Sequence, residues 1–307
     1  MIGKILLLLQ FDGVEQAAMR RATQLGGSIA AEIDLLKVVY EPHLEGYLGS
    51  KSIYASLRQR LVDENQERLA APAQSLRDKG IKAQAKAVWG HSVHEAVAAE
   101  VIASGAELVI AAPSEPSGAL SHEDWKLVTT CPVPLLLVAG GGVQAYKHIL
   151  AAVDPYHDHG KPADLDLSIL KHAQDMQLLM HADLKILHCF TPLSEFVDRG
   201  LEQLPVGDAE ATLEKARRDA LAQLMARAGL SGDLAELAAG RPERVLLSRA
   251  EHGEADLIVL GIASRSAWKE FFVGSTTERV LKQTKVDTLV VKPPDFRVTI
   301  SVQSPNV

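Results

Sequence analysis

Only two cysteines, Cys131 and Cys189, occur in the 307 residues, and they fall in different halves of the chain. A disulfide framework needs more, and a zinc knuckle needs them closely paired; a reduced, cytoplasmic setting is expected instead. Aromatic residues are scarce at 5%, whereas hydrophobic residues reach 47%. Packing must then rest on aliphatic strands and Ala/Leu helices, the composition of α/β proteins. Excess basic charge is missing too. Lys and Arg number 32 against 39 Asp and Glu, a formal charge of −7, which is not the electrostatic footprint of a nucleic-acid binder. No apolar stretch approaches the roughly 20 residues of a membrane-crossing helix. The apolar start, Met1–Leu9, stops at Gln10-Phe11-Asp12 with no small-residue cleavage site after it, so it reads as a buried first strand rather than a leader.

What the chain does contain is one plan written twice. In the first half, short aliphatic runs predict strands near Lys4–Leu9, Glu32–Val39, Ala83–Trp89, Glu107–Ala111 and Leu135–Val138. Periodic segments near Val14–Leu25, Ile53–Lys79, Val93–Ser104 and Glu123–Thr130 predict helices between them. The second half predicts strands near His148–Val153, Leu184–Cys189, Ala235–Ala239, Leu257–Leu260 and Thr288–Val291, with helices near Leu165–His181, Ala209–Ala228, Pro242–His252 and Ser275–Gln283. Such alternation predicts a parallel sheet covered on both faces. Gly90 matches Gly240, and Glu107–Ala111 matches Asp256–Leu260, in the same order and at nearly the same offset. That argues for tandem duplication. The expected division is a first domain over 1–140, a second over 145–295 and a tail over 296–307, with Gly140–Gln144 as the flexible linker. Pro72, within the long second helix, predicts an end or a kink there.

The segment with most chemical content is Asp256-Leu-Ile-Val-Leu-Gly261-Ile-Ala-Ser264, followed nine residues later by Gly274-Ser275-Thr276. A buried strand running into a glycine, then a glycine and hydroxyl residues opening a helix, is how an open α/β sheet turns backbone N–H groups towards an anion. The plainer reading is a turn plus an ordinary helix cap, since Ser and Thr favour that position. Asp154 ends a strand where α/β ligands bind, although Asp-Pro is also a common turn. His157-Asp158-His159 lacks a fixed third ligand and reads as solvated rather than metal-binding. His172 and His181 are nine residues apart, which does not align them on one helix face. Cys131 reads as a small buried hydrophobe with no partnered His/Asp set; Trp125 and Trp268 are candidates for ligand or interface contacts, with buried packing as the default reading.

Five parallel strands per copy, Asp154 at the end of the second copy's first strand and the spacing Gly261-x2-Ser264-x9-Gly274-Ser275 resemble the universal stress protein family, its tandem two-domain members in particular. Local matches to those members are Ala87-Val88-Trp89, Asp124-Trp125-Lys126-Leu127 followed by Cys131-Pro132-Val133-Pro134, Gly240-Arg241-Pro242-Glu243-Arg244-Val245, and Lys292-Pro293-Pro294. The resemblance implies two tandem five-stranded, parallel-sheet, Rossmann-like α/β domains. It implies an adenine nucleotide, ATP or AMP, in the second copy, with Mg accompanying ATP, and a stress-response role as a ligand-responsive regulator or adaptor. Carried over by position, Asp154 would contact the ribose or adenine and Cys189 would lie against the adenine. Gly261 would be the first motif glycine, and Gly274, Ser275, Thr276 and Thr277 would lie near the phosphates.

Ser264 departs from the family, which has glycine at that position. Its side chain either narrows the loop or donates a hydrogen bond to a phosphate. The first copy departs further: Gln10 stands where Asp154 stands, Ala112-Pro113 replaces the glycine turn, and Asp124-Trp125 opens the helix without a glycine–hydroxyl pair. That copy is expected to be empty of nucleotide and to serve packing or partner contacts, with the two domains paired intramolecularly and homodimers building on that pairing. Two other functions stay open, a carrier of a larger amphipathic or lipid-like ligand and a slow ATPase. For the latter no general base or arginine finger is fixed by spacing, so no catalytic residue is assigned.

Overall fold

The computed structural model describes residues 2–10, 15–47, 51–114, 119–140, 145–155, 164–193, 206–262 and 275–297. Two compact units divide the chain between Val143 and Gln144, inside the glycine-rich stretch.

In the first unit the elements run β1 (Lys4–Leu8), α1 (Glu15–Ile29), β2 (Glu32–Val39), a 3-10 turn (Pro42–Tyr47), α2 (Lys51–Asp78), β3 (Ala83–Trp89), α3 (Val93–Ser104), β4 (Leu108–Ala111), α4 (His122–Thr130) and β5 (Leu135–Leu137). All pairings are parallel and give the order β3-β2-β1-β4-β5. The second unit repeats this with β6 (His148–Ala152), α5 (Asp164–Met180), β7 (Asp183–Phe190), α6 (Val206–Ala228), a 3-10 turn (Gly232–Leu234), β8 (Ala235–Ala239), α7 (Pro242–Glu251), β9 (Leu257–Gly261), α8 (Ser275–Gln283) and β10 (Asp287–Val291). Its order, β8-β7-β6-β9-β10, is the same and again parallel. Each unit is therefore a five-stranded doubly wound α/β domain.

The short aliphatic runs become strands because both of their faces are covered. Every residue of β4 and of β10 is buried, and so are four of the five in β9. In such strands alternation disappears, because neither face meets water. Tyr146, 1% exposed, donates its hydroxyl to Asp287 Oδ2 at 2.6 Å. This buried bond ties the entry of β6 to the start of β10 and satisfies the one polar atom of a large core side chain.

The duplication extends to backbone detail. Ala30 directly follows α1 and His181 directly follows α5, and both sit in the left-handed region, at φ 53 and 52. This is the helix-ending position that glycine usually fills.

α2 continues through Pro72, so of the end or kink that the sequence predicts the end does not occur. Leu69, Ala73 and Leu76 on either side of it are buried, and the helix packs on β2 and β3. A proline in a helix interior costs about 3 kcal/mol, and this shared apolar face outweighs it. The two 3-10 turns carry no clear sequence signal and were not expected.

Candidate functional site

Strand β6 lies between β7 and β9, and the helices that follow β6 and β9 in the chain pack with different neighbours. β6 leads to α5, which packs with α6, whereas β9 leads to α8, which packs with α7. Face assignments follow from side chains. Ile258 and Leu260 of β9 share a cluster with Leu246 of α7 and Val280 of α8. A Cβ on Gly261 would point the other way, meeting Ile169 at 2.8 Å and Leu165 at 2.9 Å on α5. The helices after β6 and β9 thus cover opposite faces, which leaves a crevice beyond the carboxyl ends of these neighbouring strands. Ligands of open α/β sheets bind at such a switch point.

Gly261 is the residue that packing demands there. Any side chain would collide with α5, so the helix approaches the end of β9 as closely as it does because glycine is present. The Gly261 carbonyl accepts the Thr277 hydroxyl at 2.9 Å, and the next N–H, of Ile262, bonds the Val291 carbonyl at 2.9 Å. Thr277, 5% exposed, therefore fastens the first turn of α8 to the end of β9. Ser275 is exposed and Thr276 half-buried on the same turn. Ser264 and Gly274 lie outside the described residues, as do His157, Asp158, His159 and Trp268.

Across the crevice, Asp154 follows β6. Its N–H bonds Asp166 Oδ1 at 3.1 Å, and the preceding carbonyl, of Val153, lies 3.2 Å from His188 Nδ1. Asp166 is fully buried and His188 is 5% exposed. Burial lowers the His188 pKa below its usual 6.5, against the Val153 hydrogen bond and the nearby Asp154 and Asp166 charges. The neutral ring with Nδ1–H donating to Val153 is the form that fits. Cys189, on the opposite side of β7, packs against the cluster of Leu187, Leu246 and Leu260. Burial pushes its thiol up to about 12, which makes it an apolar wall rather than a nucleophile.

The structure thus brings Asp154, Gly261, Thr277 and the exposed start of α8 to the carboxyl edge of one sheet. Sequence reasoning missed Asp166 and the part played by His188. The signal for Asp166 was an acid inside an apolar stripe, since it shares a helix face with Ile169 and Leu170, three and four residues further on. Among the described residues no group of three or more His, Cys, Asp or Glu side chains could hold a metal ion, and no helix is long and apolar enough to cross a membrane.

The equivalent place in the first unit is built differently. Asp124, at the start of α4, turns its carboxylate back onto its own surroundings. It accepts from Ser114 N at 3.0 Å and Ser121 N at 2.8 Å, and the Ser114 hydroxyl lies 2.5 Å away. With Ser121 capping Asp124 N in return, this is a complete capping box. The anion at this helix start is the protein's own. At the end of β1, the Gln10 carbonyl accepts Lys37 Nζ at 2.6 Å.

A doubly wound parallel domain, with an acid beyond one strand end and a glycine at the end of the neighbouring strand, defines an open α/β domain of the Rossmann-like class. Residues 145–292, nearly all of the second unit, match the Universal stress protein family. Universal stress protein E of Escherichia coli strain K12 is 24% identical over 318 residues, covering 98% of each chain. The Universal stress protein E homolog of Haemophilus influenzae is 22% identical and covers 94% of this chain and 97% of its own. A solved universal stress protein structure from Pseudomonas aeruginosa UCBPP-PA14 aligns with TM-score 0.70 at 26% identity, covering 96% of this chain and 94% of the other.

Proposed function

We propose that the second unit binds an adenine nucleotide, ATP or AMP, across the carboxyl ends of β6, β7 and β9, and that the protein acts as a ligand-responsive stress regulator or adaptor in the cytoplasm rather than by turnover. The observation that carries this reading is the tie between Thr277 and Gly261, which sets the exposed first turn of α8 beside the strand-end crevice. A helix start supplies unpaired N–H groups and the positive end of a dipole, both of which favour phosphate oxygens. Asp154, a carboxylate at the other side, suits hydroxyl or amino donors and repels phosphate, so the ligand has a direction. Its sugar or base lies towards β6 and β7, with Cys189 as an apolar wall, and its phosphates lie towards Gly274, Ser275 and Thr276. Mg would accompany the phosphates of ATP, not a protein-built cage.

The first unit supports the same assignment by contrast. Its helix start already holds the Asp124 carboxylate, which accepts the Ser114 and Ser121 N–H groups, so a phosphate there would meet like charge and two donors already engaged. Mass spectrometry of small molecules that copurify with the native protein tests the reading. An adenine nucleotide is the expected species, and a lipid-like ligand in its place would overturn the reading in favour of an amphipathic-ligand carrier.

A further inference from the structure

We propose that Asp166 is a positioning residue that holds Asp154 in its ligand-facing place. This rests on the nucleotide reading of the second unit and names a group that acts within it. Asp166 is the third residue of α5, is 0% exposed, and takes the Asp154 N–H on Oδ1 at 3.1 Å. Burying a carboxylate carries a large desolvation cost, and a well-packed apolar side chain would serve the core as well or better. In the first turn of α5 the helix dipole offsets part of that cost, and the bond to Asp154 N directs the carboxylate to the strand end.

Its effect is local and geometric. β6 ends at Ala152, and the next two residues lie beyond the sheet ladder. Among the described contacts, these hydrogen bonds act on them: Val153 N to the Leu187 carbonyl at 3.0 Å, His188 Nδ1 to the Val153 carbonyl at 3.2 Å, and Asp154 N to Asp166. The first two come from β7 and hold Val153. The third reaches the peptide of Asp154 itself, and it comes from the helix on the far side of the β6–α5 connection. Asp166 thus couples the position of α5 to the aim of the Asp154 side chain. The same helix supplies Leu165 and Ile169, which close on Gly261. One helical turn therefore registers both walls of the crevice.

The test is calorimetric titration of the full chain and of Asp166→Leu and Asp166→Asn with ATP, adenosine and inorganic tripolyphosphate, alongside thermal denaturation. Asparagine keeps an oxygen that accepts the Asp154 N–H; leucine does not. Asp166→Leu is expected to weaken ATP and adenosine about tenfold, the scale of one hydrogen-bonded contact, and to leave tripolyphosphate unchanged, while Asp166→Asn binds all three like the unaltered protein. Equal losses for tripolyphosphate would show general loosening of the unit and overturn the proposal. Unchanged ATP affinity in Asp166→Leu, or a tenfold loss in Asp166→Asn, would overturn it as well. Asp166→Ala serves the same comparison if the leucine variant does not fold. An unaltered chain that binds neither ATP nor adenosine overturns the nucleotide reading and this inference with it.

Discussion

Thr277 donates its hydroxyl hydrogen to the Gly261 carbonyl at 2.9 Å, so the residue that opens the crevice on β9 also anchors the helix that faces it. The two are sixteen residues apart, and the bond makes strand end and helix start a single rigid corner. Replacing Gly261 with valine forces atoms into the space of Leu165 and Ile169. Overpacking of this kind costs about 1–3 kcal/mol. The urea midpoint of Gly261→Val should fall, and combining it with Leu165→Ala should restore part of the loss. A midpoint equal to that of the unaltered protein would mean that α5 yields freely there.

One buried and one half-buried histidine, His188 and His172, give the fold a pH dependence of defined sign. Burial lowers the pKa of His172 and of His188 from 6.5, despite their hydrogen bonds to the Ser168 and Val153 carbonyls. The unfolded chain then binds more protons than the folded one below that value, so stability increases with pH in this range. Their contribution is complete above pH 6.5 and is lost as pH falls from there through the lowered folded values. Denaturation series between pH 5 and 8 should show a shallower slope for His188→Gln. Superimposable curves would refute the assignment.

Cys189 should be chemically silent. Its thiol, raised to about 12 by burial, carries almost no thiolate at pH 8, and Cys131 is fully buried. Iodoacetamide is expected to label neither residue in the native protein and both after denaturation. Modification of native Cys189 at the rate of a free thiol would contradict the packing described.

The left-handed residues after α1 and α5 offer a stabilising change. Ala30 and His181 are both exposed and carry φ near +50, a conformation that costs a side-chain-bearing residue roughly 1–2 kcal/mol. Ala30→Gly and His181→Gly should each raise stability by about 1 kcal/mol, part of that gain being offset by the greater freedom of glycine when unfolded. A fall in stability for both variants would show that other contacts set these turns.

The doubly wound plan was legible because it rests on local patterns. Glu32–Val39 and Ala83–Trp89 match their predicted strands end to end, and Asp154 was readable as a strand-end acid from position alone. What escaped the sequence is tertiary. Gly261 looked like a phosphate-loop glycine, and its steric need arises from Leu165 and Ile169, about a hundred residues earlier. Thr277 was placed near the phosphates, and its hydroxyl bond to the Gly261 carbonyl, sixteen residues away, was not legible. Pro72 carries a strong local signal, overridden by packing on both sides. Asp166 reads as one more helix-start acid until its zero exposure is known.

The central claim is a single nucleotide site per chain, in the second unit, with Asp154 as its polar contact. Isothermal titration of the full chain with ATP, repeated for Asp154→Ala, measures both parts at once. The account predicts one ATP per chain, the first unit being closed to phosphate by Asp124, and an affinity at least about tenfold weaker in Asp154→Ala, the loss of a charged hydrogen bond to the ligand. Two ATP per chain, or an affinity unmoved by Asp154→Ala, would contradict it.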